Sequence, residues 1–152
     1  MECFRVLEAG EGIEAAILRG LSARGGLGGR CTSGDHPALL VVSPGAAERG
    51  SVLPRQCRTA LVPGEIAVPL RAASAVSYGV SPRDSLTVSS REGDVLWAAL
   101  QRELVTVDGQ VVERQEFPLR LDPGAGELPC LAAAGALLLL GVPPEELNRP
   151  DG

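Results

Sequence analysis

The chain has 152 residues, 45% of them hydrophobic, 22% charged and only 3% aromatic, with a net charge of -5. That length suits one domain with its own core, and the composition excludes wholesale disorder, leaving Leu, Val and Ala to build the interior. No basic cluster stands out, which excludes nucleic acid as a partner, because such binding depends on neutralising phosphates.

All fourteen basic residues are arginines. A Walker-type phosphate-binding lysine, a Schiff-base lysine and a carbamylated lysine are therefore impossible in this chain. Cys3, Cys31, Cys57 and Cys130 form no C-x-x-C pair, and His36 is the one histidine, so a Cys/His zinc site lacks support. The expectation is reduced thiols in a cytoplasmic protein with no metal and no cofactor. The N-terminus shows neither the basic nor the apolar region of a signal peptide. Leu131 to Val142, the longest apolar run, is too short to span a bilayer.

Cys3 to Leu7 reads as a strand, Glu8 to Gly12 as a glycine turn, and Ile13 to Leu21 as a helix with apolar residues at helical spacing. Gly10-Glu11-Gly12-Ile13-Glu14-Ala15 formally matches the G-x-G-x-x-A dinucleotide fingerprint. Glu11 and Glu14, however, would put negative charge where a pyrophosphate should sit on the helix N-terminus. Arg24 to Arg30 is glycine-dense and reads as a loop with no flanking strand. Ala38–Val42, Arg58–Val62 and Ser74–Ser77 are small apolar strands, each closed by a turn: Ser43-Pro44-Gly45, Pro63-Gly64-Glu65 and Tyr78-Gly79.

Parallel strands end on one side of an open α/β sheet, and ligands bind there. Ser43, Gly45, Gly64, Glu65, Tyr78 and Gly79 are therefore the candidate ligand-binding residues, with Glu8 beside them; plain turn chemistry and a half-buried Tyr78 are the alternative. No catalytic residue is assigned. His36 beside Asp35 lacks a G-x-S-x-G elbow.

Beyond Pro82, Ser85–Ser90 alternates as a half-buried strand and Arg91–Asp94 reads as a hairpin turn. Val95–Val107 has helical spacing in part, but it runs into Asp108-Gly109 and Val111-Val112, which favours strands joined by a two-residue type I′ turn. Arg114–Leu121 continues the meander with Phe117, Leu119 and Leu121 on one face. Asp122–Pro129 reads as a loop, and Cys130–Leu140 as a helix apolar on every side, hence buried, with Gly141 as its cap and Pro143-Pro144 beyond. One α/β domain over 1–147 is expected, a small Rossmann-like, mainly parallel sheet followed by an antiparallel β-meander and a buried C-terminal helix, with a loose tail at 148–152.

Tyr78-Gly79, Leu86-Thr87-Val88, Asp108-Gly109, Phe117-Pro118-Leu119, Ala132-Ala133-Ala134 and Leu140-Gly141-Val142-Pro143-Pro144-Glu145-Glu146-Leu147 follow one another in that order. This series resembles the last part of the central domain of the Mur ligases and folylpolyglutamate synthases, over roughly half the chain. The resemblance implies a parallel sheet followed by a smaller antiparallel one, and a family activity of ATP-dependent amide-bond formation. The family's Gly-Lys-Thr/Ser loop and carbamylated lysine have no counterpart here, and Glu127-Leu128-Pro129-Cys130 stands where Gly-x-His-Asn is expected. It thus implies a shortened relative without the ATP machinery: a non-catalytic module that binds a small molecule or a protein partner. A small-molecule enzyme using Glu65 or Tyr78 as acid or base at the glycine turns is the alternative, and oligomeric state is open.

Overall fold

The computed structural model describes residues 3–22, 29–30, 37–49, 56–64, 71–121 and 126–147. The elements run β1 (Cys3–Leu7), α1 (Ile13–Ser22), β2 (Gly29–Arg30), β3 (Leu39–Val42), α2 (Pro44–Arg49), β4 (Gln56–Pro63) and β5 (Arg71–Gly79). They continue with β6 (Leu86–Glu92), β7 (Val95–Leu100), β8 (Leu104–Val105), β9 (Val111–Val112), β10 (Gln115–Arg120), α3 (Glu127–Leu139) and a 3-10 turn at Pro144–Glu146. Glu65, Cys31, His36 and the tail from Asn148 lie outside the described residues.

One eight-stranded sheet has the order β10-β7-β6-β5-β4-β3-β1-β2, and β8-β9 form a separate ribbon. The strands from β2 to β5 are parallel, and β6, β7 and β10 pair antiparallel. The expected α/β class and its succession of parallel then antiparallel strands are both present, within one continuous sheet. The join is narrow: β5 and β6 are parallel and share only the pairs Tyr78–Leu86 and Gly79–Thr87. The meander therefore begins where the parallel strands end and extends past that edge.

Local sequence explains most of the elements. In α1, Ile13, Ile17 and Leu21 make one buried stripe. The whole of β3 is buried, as its unbroken Leu-Leu-Val-Val requires of a central parallel strand. Helix α3 is buried from Leu131 onward and crosses one face of the sheet beside α1, joining the main core with Leu61, Leu86, Leu96 and Phe117. It ends in a Schellman closure, with Gly141 N–H donating to Leu138 O and Val142 N–H to Leu137 O. Helix α2 covers the other face, where Ala46 packs with Leu40, Val42 and Ala60.

Five readings need correction. Residues 44 and 45 do not merely end a strand: they open α2, with Ser43 as its cap. Within the glycine-dense stretch, Gly29–Arg30 pairs with β1 as a strand. Helix α3 starts at Glu127, three residues before the expected Cys130, because Pro129 sits in the first turn, where an amide hydrogen has no helical partner to lose. Cys3 is disulfide-bonded, while Cys57 and Cys130 form no disulfide. Distance along the chain had suggested four thiols, but separation in sequence sets no distance in the fold.

The fifth correction concerns Asp108-Gly109. A type I′ turn needs positive φ at both central residues, yet Gly109 alone has it, at 91°. Thr106 N–H donates to Gln110 O, and Gly109 N–H donates to Thr106 O at 3.0 Å. The loop is therefore Val107-Asp108-Gly109, a turn followed by a left-handed glycine. The Thr106 hydroxyl also bonds the Asp108 carboxylate and accepts from Gln110 N–H. Gly109→Val should destabilise the protein by about 1–2 kcal/mol, since a β-branched residue in the left-handed region is strained; urea unfolding measures this.

Candidate functional site

The carboxyl ends of β1, β3, β4 and β5 form one edge, as their parallel pairing dictates. From β1 the chain turns outward to β2, whereas from β3 it turns the other way to β4. The loops after β1 and β3 therefore diverge, opening the crevice where doubly wound sheets bind ligands. Its walls are Glu8–Gly12 on one side and Ser43–Gly45 on the other.

That crevice is bridged by the protein's own carboxylates. Glu8 accepts from Ile13 N–H at 2.8 Å and Glu14 N–H at 3.0 Å, capping α1 where an anion would otherwise sit. Glu11 accepts from Ala9 N–H at 2.9 Å and, across the crevice, from Gly45 N–H at 3.1 Å. The conflict expected between acidic residues and a pyrophosphate at this helix is thus present, but Glu8 takes the part assigned to Glu14. Ser43 is fully buried; its N–H donates to Leu7 O, and its hydroxyl accepts from Ala46 N–H at 3.0 Å. Gly45 supplies one of the amides that Glu11 takes.

The other half of the edge is filled in the same way. Tyr78 is fully buried, and its hydroxyl reaches from β5 past β4 to donate to Val42 O on β3 at 2.5 Å. Burial, then the nearby Glu11 charge, pushes its hydroxyl pKa well above the ordinary tyrosine value, so it cannot serve as a base near neutral pH. Gly64 N–H donates to Tyr78 O at 3.0 Å. A Cβ at Gly64 or Gly79 would collide with the carboxylate of Asp84, which lies over both glycines.

Asp84 is 3% exposed, accepts from Ser81 N–H at 3.1 Å through Oδ2, and is held from behind by the Gln101 amide, which donates to Asp84 O at 2.8 Å. Sequence reasoning missed Asp84 and the bridging role of Glu11. A trace of the first was readable in Ser81-Pro82-Arg83-Asp84, whose composition favours a side-chain-closed turn. Five of the six candidate residues therefore share one edge, and each of the five is engaged by a neighbour in the chain.

Tyr78→Phe leaves the buried Val42 carbonyl without its donor and should cost about 1–3 kcal/mol. The folded hydroxyl also keeps its proton where an unfolded tyrosine loses it near pH 10. The wild type should therefore lose stability as pH rises past about 10, and the variant should lack this contribution; Tyr78 is the one tyrosine, so ultraviolet titration reports it alone. Gly79→Ala should cost about 1–3 kcal/mol by overpacking, and appreciably less in an Asp84→Gly background, as a double-mutant cycle would measure.

Compared with known protein families, curated proteins and solved structures, the chain matches none.

Proposed function

We propose that this chain is a non-catalytic interaction module built on the plan of a Mur-ligase-like central domain that lacks the ATP machinery. One observation carries the reading: Glu8 and Glu11 occupy the backbone donors at the crevice between β1 and β3. A nucleotide phosphate would have to displace a carboxylate covalently tethered at that point and then bear its repulsion, because amides that hold phosphates elsewhere are already satisfied here. The absence of any lysine removes the usual charge stabilisation of a transferred phosphoryl group.

The continuation of a parallel sheet into antiparallel strands, with an alanine-rich helix across one face, supports the resemblance to that central domain. The buried, hydrogen-bonded Tyr78 counts against the alternative in which it acts as acid or base. The disulfide at Cys3 counts against a reducing cytoplasm as the site of action, since disulfides persist mainly in oxidising compartments.

Titration calorimetry with Mg-ATP, and separately with inorganic pyrophosphate, tests the proposal. No binding heat is expected from either ligand. A low-micromolar dissociation constant for either would overturn it.

A further inference from the structure

The antiparallel strands give only one of their two faces to the interior. The main core takes Leu96, Ala98 and Leu100 from β7, and Phe117 and Leu119 from β10. The second core, on the side of α2, holds no residue of β6, β7 or β10. The β7–β10 ladder runs without a break from Gln115–Leu100 to Arg120–Val95. Alternation therefore turns Val95, Trp97 and Ala99, with Glu116, Pro118 and Arg120, to the face away from α3.

Val95, Trp97 and Ala99 belong to neither core. Trp97 is the one tryptophan of the chain, and Pro118, its direct cross-strand partner, is half-buried as it is. A protein so short of aromatic residues has thus left its largest side chain outside its core. Aromatic residues placed in this way are enriched at the centres of protein interfaces.

The charges around Trp97 stand in opposition. Along β10, Glu116 lies two residues to one side of Pro118 and Arg120 two residues to the other. Glu92 of β6 pairs with Val95, in the same row as Arg120. Its neighbour Arg91 takes the opposite face and reaches Glu127 of α3 at 3.2 Å. Glu92, Glu116 and Arg120 are all exposed. The Ser89 hydroxyl donates to Glu116 at 3.1 Å. Among the described residues, Glu92 and Arg120 have no hydrogen-bond or ion-pair partner for their side chains.

We propose that this face is the contact between two copies of the chain, stacked sheet on sheet about a two-fold axis at Trp97. Such an axis lies in the plane of contact and runs either across the strands or along them. The first lays Arg120 of each copy on Glu116 of the other; the second lays it on Glu92. Both pack Trp97 on its counterpart and bring no like charges together. Charge complementarity therefore selects a second copy, because the patch answers itself under either symmetry. The patch is smaller than a standard interface, so the association is weak. The inference rests on the interaction-module reading and names its partner at a separate surface. Nucleotide binding at the β1–β3 crevice would overturn that reading without touching this face, and a failure here would leave the crevice result intact.

The test is sedimentation velocity of the full chain, followed in parallel by Trp97 emission. A reversible monomer–dimer equilibrium is expected between about 10 μM and about 1 mM. The emission should move to shorter wavelength over the same range as the indole leaves water, and added salt should weaken the association. Arg120→Glu, at an exposed position, should weaken dimerisation about tenfold or more. A charge swap should restore it: Arg120→Glu with Glu116→Arg for the axis across the strands, or with Glu92→Arg for the axis along them. A chain that stays monomeric throughout, dimerises with no change in Trp97 emission, keeps its affinity as Arg120→Glu, or is restored by neither swap would overturn the proposal.

Discussion

Burial of α3 against one face of the sheet is the interaction on which the rest of the structure depends. Ten consecutive residues, Leu131 to Leu140, are buried, and the core they join includes residues of both the parallel and the antiparallel strands. The direct join between those two regions is two residue pairs long. The helix therefore holds together parts of the sheet that strand pairing alone links weakly, and its Leu139 carbonyl also accepts from Val107 N–H of the ribbon turn. A stretch with so few aromatic residues can do this because its alanines allow close approach while its leucines fill the space between.

The carboxyl edge of the sheet follows a different logic. Backbone donors gather there because parallel strands and helix starts both leave amides unpaired. In many α/β proteins an external anion satisfies them. Here Glu8 and Glu11 do so from within, and a buried Asp84 fills the space over two glycines. The edge is thereby closed by three carboxyl groups of the chain itself. It keeps the geometry of a binding crevice while making it a poor host for phosphates.

Much of the fold could be read from the sequence because its signals are local. Apolar runs marked β1, β3 and the core of β4, a helical stripe marked α1, and Asp108-Gly109 marked a reversal. Helix α2 escaped because six residues, Pro-Gly-Ala-Ala-Glu-Arg, carry too short a pattern to show a period. The form of the Asp108-Gly109 loop escaped because Thr106 and Gln110 set it from outside the dipeptide. At the carboxyl edge, parallel strands predicted which turns would share a side, and the described ones do. What those residues do there depended on contacts that sequence spacing does not encode: Glu11 meets an amide 34 residues away, and Tyr78 a carbonyl 36 residues away. Side chains that looked available for a ligand were already taken.

The position of α3 in the chain has a consequence for how the protein is made. Every strand it covers is synthesised before it. Until it emerges, Leu61, Leu86 and Leu96 have no helix to close over them, and the sheet face stays open to water and to other chains. Contacts that complete the core span much of the sequence, which slows folding and lengthens the interval in which aggregation competes. The core on this face of the sheet therefore closes only once α3 has joined it.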